Sequence, residues 1–291
     1  MPSAHFSKIA VLQSLPVGEM QTGKRLSEDV ATINLFHDRG LEVNLFNVTT
    51  KASFIDCLRQ LEEEAKRGVW PLLHLECHGA DGKTGIVLAD NSYLGWSELK
   101  PYFTAINIAT RCNLVIVMAA CYGGYLGEFI LPTDRAPCWA MIGPTDMVFP
   151  QELKSGFTAF YSQFLGTLNG DKSLESLQST RLQSGRYYFA PAGAFFKYVF
   201  ANYFATYNGP MERHRRTKAL SRKIWGMDSV RHPGRIALRR QLREEKPVFE
   251  KYLRHFFMID LYPENAKRFP ISYDEVKDFQ TALAKRSRNF L

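Results

Sequence analysis

The chain has 291 residues, of which 45% are hydrophobic and 23% charged, and it carries a net charge of +8. That balance excludes a disordered chain and supplies enough apolar side chain for one large domain or two small ones. No apolar run approaches the roughly 20 residues of a membrane span, and five cysteines without framework spacing argue against a disulfide scaffold.

In chain order, residues 5–15 read as a strand, too short in its apolar stretch and too weakly charged in its lead-in for a secretory leader. Residues 22–38 carry Leu26, Val30 and Ile33 at helical spacing, and Gly40 supplies a stop. Residues 41–48 alternate Leu41, Val43 and Leu45 as a strand does. Residues 53–66 are helical, with Phe54, Leu58 and Leu61 on one side, and residues 71–77 form a third strand. A loop over residues 80–85 leads into a small hairpin, residues 86–88 and 93–94 flanking Asp90-Asn91-Ser92. A helix over 97–109, a fourth strand over 113–119 and a fifth over 138–143 follow. Residues 151–168 form a helix whose stripe of Phe157, Phe160, Tyr161, Phe164 and Leu165 is core, and residues 174–186 form another.

Alternating strands and helices predict a mostly parallel sheet covered on both faces, a three-layer α/β/α sandwich. It is expected over residues 1–207. Composition shifts at Asn208-Gly209-Pro210, and residues 208–291 are expected to be helical and basic, ending in a helix over 273–287. Cys57, Cys77, Cys112, Cys121 and Cys138 read as reduced thiols of a cytosolic protein. No Cys-x-x-Cys pair occurs, so neither a metal site nor a cofactor is expected.

Two segments carry the chemistry. The run from Leu72 to Gly79 is an apolar strand ending in His78-Gly79, and the run from Leu114 to Gly124 is an apolar strand ending in Cys121 before Gly123-Gly124. Each puts a reactive side chain just past the carboxyl end of a buried strand, the edge where open parallel sheets carry their sites. Neighbouring strands lie roughly 4.8 Å apart, so His78 and Cys121 would meet at one rim. A cysteine nucleophile paired with a histidine suits that arrangement. Cys77 alternates to the opposite face and reads as packing. Gly123 and Gly124 are turn glycines that also leave space beside the thiol.

Strand-His-Gly followed some forty residues later by strand-Ala-Cys-x-Gly-Gly resembles the caspase-like clan (clan CD) of cysteine peptidases. The hairpin passage and the run from Met141-Ile142-Gly143 to Gly166 are most similar to its prokaryotic CHAT branch, related to caspases, metacaspases and separase. The resemblance spans residues 6–186. It implies an endopeptidase in which Cys121 attacks a peptide carbonyl and His78 acts as general acid/base. The N–H groups of Gly79 and Cys121 would hold the oxyanion, and the dipole of the helix after Gly123-Gly124 would favour the thiolate. It also implies a protein or peptide substrate, and latency relieved by a nucleotide or protein activator in antiviral defence.

Asp146 follows the fifth strand where separase-like relatives carry an acidic specificity residue, which would select Lys or Arg before the cut; it serves equally as a helix cap. Arg135 and Arg111 are the opposing candidates, for Asp.

The positive charge is concentrated: fourteen Lys and Arg against five Asp and Glu lie between Met211 and Arg254, about +9. Arg215, Arg216, Arg239 and Arg240 are candidates for binding an anion: a nucleotide, nucleic acid or an acidic protein. The alternative is a solvated face whose apolar residues, Phe249, Phe256 and Phe257 among them, dock on the first domain. Two other functions remain open. A glutamine amidotransferase also sets a Cys on a strand-to-helix elbow, but Ala119 stands where its Gly-x-Cys pattern needs glycine. A non-catalytic scaffold would leave only the basic region active.

Overall fold

The computed structural model describes residues 4–131, 133–180, 187–207, 209–226 and 234–288. The chain gathers into two compact units, Met1–Ile130 with Ala136–Ala192, and Leu131–Arg135 with Gly193–Leu291. The division at Ala192 precedes the composition shift at residues 208–210, of which Asn208 lies outside the described residues.

The first unit is built on strands β1 (Lys8–Ser14), β2 (Glu42–Asn47), β3 (Pro71–Gly79), β4 (Gly85–Val87), β5 (Tyr93–Gly95), β6 (Val115–Ala119), β7 (Ala140–Pro144) and β8 (Tyr187–Pro191). The sheet order is β2-β1-β3-β6-β7-β8, with the β4–β5 hairpin branching from the end of β3. Pairing is parallel from β2 to β7 and antiparallel between β7 and β8. Helices α1 (Thr22–Phe36), α2 (Lys51–Lys66), α3 (Trp96–Ala109), α4 (Pro150–Thr167) and α5 (Gly170–Ser179) cover it.

The two faces follow from strand alternation. Ile9, Val11, Leu72, Val115, Val117 and Ile142 pack with Leu26 and Val30 of α1 and with Phe157, Phe160, Tyr161 and Leu165 of α4. The alternate positions Ala10, Leu12, Leu73, Leu75, Ile116 and Met118 are buried as well. On their side α2 and α3 contribute Phe54, Leu58, Leu61, Phe103 and Ile106, all buried. Strands buried on both faces read as unbroken apolar runs, as β3 and β6 do. The expected α/β/α sandwich with a mostly parallel sheet is the architecture present.

Local chemistry sets the ends. Thr50 caps α2, its hydroxyl accepting from the Ser53 N–H at 3.2 Å while the Thr50 N–H donates to Ser53 Oγ at 3.1 Å. Pro150 occupies the first turn of α4, where its missing N–H costs nothing. Residues 181–186, the end of the helix expected over 174–186, lie outside the described residues.

The second unit is helical: α6 (Ala192–Tyr207), α7 (Pro210–Trp225), α8 (Gly234–Gln241), α9 (Glu245–Phe256), α10 (Asn265–Arg268) and α11 (Tyr273–Arg288). Its centre is aromatic. Phe196 stacks against Phe200 at 5.3 Å and meets Phe249, Phe256 and Phe257 at 5.8, 5.1 and 5.3 Å between ring centroids. The C-terminal phenylalanines therefore form a core with α6. Among the described residues no helix is long and apolar enough to cross a membrane.

Candidate active site

The β3–β6 register pairs Glu76 with Ala119. Two residues further along each strand direction stand His78 and Cys121, on the sheet face that α1 and α4 cover. The β3–β6 pairing ends there, and His78 and Gly79 pair with Val87 and Ile86 of β4. The ends of the two segments stay in backbone contact. A Cβ at Gly79 would overlap the Cys121 carbonyl oxygen and lie 2.6 Å from its carbon. Only glycine fits there.

The next turn is equally close. Tyr122 adopts a left-handed conformation (φ 60°) and turns the chain from β6 into a 3₁₀ segment, Gly123–Phe129. A Cβ on Gly143 of β7 would lie 2.8 Å from the Gly123 carbon and the Gly124 nitrogen. The Gly123-Gly124 pair thus allows the elbow to press on β6 and β7. The segment that follows is a 3₁₀ helix of seven residues, a weaker dipole than the α-helix invoked for the thiolate.

Cys121 is half-buried, whereas Cys57, Cys77, Cys112 and Cys138 are buried, and all five thiols are free. Burial pushes Cys57 up to about 12 and raises Cys77 and Cys138 as well. The Val148 N–H donates to Cys121 Sγ at 3.5 Å, and the thiol reaches the Val148 carbonyl oxygen at 3.7 Å. His78 turns to a residue that composition and spacing did not single out: its Nε2 lies 2.8 Å from Glu19 Oε2, and both side chains are 46% exposed. Among the described residues no hydrogen bond joins His78 to Cys121.

Glu19 sits in the loop after β1, entered through Gly18 at φ 97°. Gln21 braces that loop, its Nε2 donating to the Pro16 and Glu19 carbonyls at 3.0 and 3.1 Å. Gln13 in turn donates to Gln21 Oε1 at 2.7 Å. Glutamines and an acid in a turn carry no spacing signature, which is why the sequence does not announce them.

The two backbone N–H groups lie at the same rim. The Cys121 N–H has no acceptor among the described residues. The Ala80 N–H donates to the Gly85 carbonyl at 3.0 Å, so alternation along the β3–β4 ladder turns the Gly79 N–H away from β4.

Beneath His78 on the same face lies a buried network. Thr22 Oγ1 donates to Glu76 Oε2 at 2.7 Å, Glu76 Oε1 is 3.0 Å from His74 Nε2, and His74 Nδ1 is 3.1 Å from the Tyr161 hydroxyl. Burial holds the Tyr161 hydroxyl in its protonated form, raised well above the usual tyrosine range. With that hydroxyl donating to Nδ1 and Nε2–H donating to Glu76, one ring tautomer satisfies both contacts. Every member is satisfied, as burial demands. His74 and His78 have His-x-x-x-His spacing, but on an extended strand four residues span about 13 Å, so the pair cannot chelate.

Asp146 is exposed beyond β7, and its carbonyl accepts the Tyr122 N–H at 3.2 Å. Its carboxylate lies in the field of Lys83, whose ammonium is held above the usual lysine range first by the Tyr125 hydroxyl and in smaller part by Asp146. Lys83 Nζ stands 5.0 and 4.7 Å from the ring centroids of Tyr122 and Tyr125. The opposing candidates lie elsewhere. Arg135 belongs to the second unit and is bound bidentately by Asp260 at 2.8 and 2.7 Å. Arg111 precedes β6, at the end of the sheet opposite Cys121.

In the second unit, three of the four candidate anion-binding arginines are engaged by neighbours. Arg215 meets Glu212 at 3.7 Å, Arg240 meets Glu244 at 3.9 Å, and Arg216 lies beside the Tyr203 hydroxyl. Arg239 instead faces His214 of α7, at 3.5 Å.

No family model matches the chain, and no curated protein matches it. Among solved structures it is similar to the crystal structure of the Drosophila initiator caspase Dronc, with 12% sequence identity and a TM-score of 0.48 over 65% of this chain and 82% of that one.

Proposed function

We propose that this chain is a cysteine endopeptidase of the caspase-like type, with Cys121 as nucleophile and His78 as general acid/base. The observation that carries the reading is the register. A thiol and an imidazole stand at equivalent positions beyond the paired stretch of two parallel strands, on one face, beside the Gly79 N–H, turned away from β4, and the Cys121 N–H, which has no acceptor among the described residues.

In the proposed reaction the Cys121 thiolate adds to the peptide carbonyl carbon, forming the C–S bond. The oxyanion takes hydrogen bonds from the Gly79 and Cys121 N–H groups; each such donor is worth roughly 100- to 1,000-fold in rate. Protonated His78 gives its proton to the amine nitrogen as the C–N bond breaks, leaving a thioester. Water then attacks with His78 taking its proton, and loss of the thiolate releases the acid. Glu19 at Nε2 orients the ring and leaves Nδ1 to exchange protons with the sulfur.

The Cys121–Val148 contact gives this reading a resting state, because the thiol must leave Val148 to meet His78. An activator that draws the 145–149 segment away would release it. Asp146 at the same segment favours substrates with Lys or Arg before the cut, with Lys83 competing for its charge.

The test is covalent capture of Cys121 by peptide electrophiles bearing Arg, Lys or Asp next to the reactive group, together with a peptide-library assay of Cys121→Ala. Capture of Cys121 and inactivity of the variant support the reading; cleavage retained by Cys121→Ala ends it.

A further inference from the structure

The unabsorbed feature of this chain is its basic second unit, and there the side chains single out a different set from the one composition suggests. Arg213, His214 and Thr217 lie within one turn or so on α7, and Arg239 and Arg243 are four residues apart on α8 and the turn after it. Together they line a cleft of about 240 Å³. Arg239 Nη2 comes within 3.5 Å of His214 Nδ1 across it.

Three guanidinium groups share this cleft, and among the described residues none of the three meets a carboxylate. Among the described residues, the acids nearest in sequence to these arginines are committed elsewhere: Glu212 to Arg215, Glu244 to Arg240, and Glu245 to the Tyr273 hydroxyl and Lys277 at 2.7 and 3.0 Å. Like charges gathered in a concavity repel one another, and an anion between them reverses the sign of that interaction. The guanidinium fork matches phosphoryl oxygens in pairs.

We propose that this cleft binds a chain of adjacent phosphoryl groups carried by a small molecule, either a nucleoside polyphosphate or an inorganic polyphosphate. The cleft is smaller than the roughly 300 Å³ at which pockets engulf a whole drug-sized ligand, so it takes the phosphates and leaves the remainder outside. A nucleic-acid strand fits less well, because it is tracked by a continuous basic stripe. Here the outward arginines that would extend one, Arg215 and Arg240, each face a glutamate, at 3.7 and 3.9 Å.

The experiment is calorimetric titration of the full chain with ATP, tripolyphosphate and adenosine at constant ionic strength. It includes Arg213→Ala, Arg239→Ala and Arg243→Ala, with Arg215→Ala as the control outside the cleft. ATP and tripolyphosphate are expected to bind and adenosine not to. Each cleft variant is expected to lose at least about tenfold in affinity, the scale of one charge-assisted contact, while Arg215→Ala binds as the parent does. Equal affinity for ATP and tripolyphosphate would identify the phosphates alone as the ligand, and tighter ATP a nucleotide; both sustain the proposal. No binding by the parent chain, equal weakening by Arg215→Ala, or displacement by a single-stranded oligonucleotide that binds more tightly than either probe would overturn it. All four arginines are surface or half-buried groups, and unchanged circular dichroism separates loss of binding from loss of fold.

Discussion

Glu19 grips the imidazole of His78, Oε2 lying 2.8 Å from Nε2 across 59 positions of sequence. The contact assigns the two ring nitrogens different jobs. Glu19→Ala is therefore expected to lower kcat by about tenfold, about 1.4 kcal/mol of barrier, with little change in KM, and Glu19→Gln to recover part of the loss. Steady-state kinetics on a peptide cleaved by the parent chain checks this. Equal kcat values for parent and Glu19→Ala would show that the contact has no part in catalysis.

Gly79→Ala tests the close approach at the rim. The added methyl meets the Cys121 carbonyl, so one of the two backbones must shift. Overpacking of this kind costs about 1–3 kcal/mol of stability, measurable as a lower urea midpoint. Activity should fall further than stability, because the displaced group carries the proposed nucleophile. A variant with parental stability and activity would mean that the rim yields freely.

Thiol reactivity should separate the cysteines. Alkylation proceeds through the thiolate. With Cys57 pushed up to about 12 by burial, only about one molecule in ten thousand carries that thiolate at about pH 8. Cys77 and Cys138 are raised too. Iodoacetamide at about pH 8 should thus add one label to the native protein, on Cys121, and none to Cys121→Ala. Mass spectrometry of the digested product reads the site; label spread over the buried cysteines would contradict the assignment of burial.

Arg135 and Asp260 give the second unit a pH dependence of known sign. The hydrogen bond from Arg135 lowers the Asp260 carboxyl below the usual carboxylate range. A depressed folded-state pKa contributes stability where the unfolded-chain Asp is ionised, above about pH 4, and loses it as pH falls through the folded value. Asp260 is partly exposed, so solvent screens the pair to about 1 kcal/mol or less. The urea midpoint of Asp260→Asn should lie below the parent's at neutral pH, and the two should converge in acid. A gap that persists in strong acid would assign the effect to packing instead of charge.

Most of the sheet is legible in the chain because its strands are buried on both faces. Expected strands at 5–15, 41–48, 71–77 and 113–119 correspond to β1, β2, β3 and β6, and the helix over 151–168 to α4, each displaced by a few residues at its ends. No sequence period marks β8 or α6, for a physical reason in each case. β8 is a five-residue edge strand ending in Pro191, too short for a period to register. In α6 phenylalanines and tyrosines run along the whole helix, so no single apolar stripe marks it against the aromatic core of the second unit.

Sequence by itself determined the alternation of strands and helices, the mostly parallel sheet, and the pair of strand ends that carry His78 and Cys121. These are local patterns, written in apolar periods and glycines that neighbours along the chain can read. Tertiary structure alone decided that Glu19 holds His78, that Val148 holds the thiol, and which arginines share one cleft. Those are pairings of polar side chains across tens to hundreds of residues, and a polar side chain's partner depends on which loop or helix the fold brings beside it.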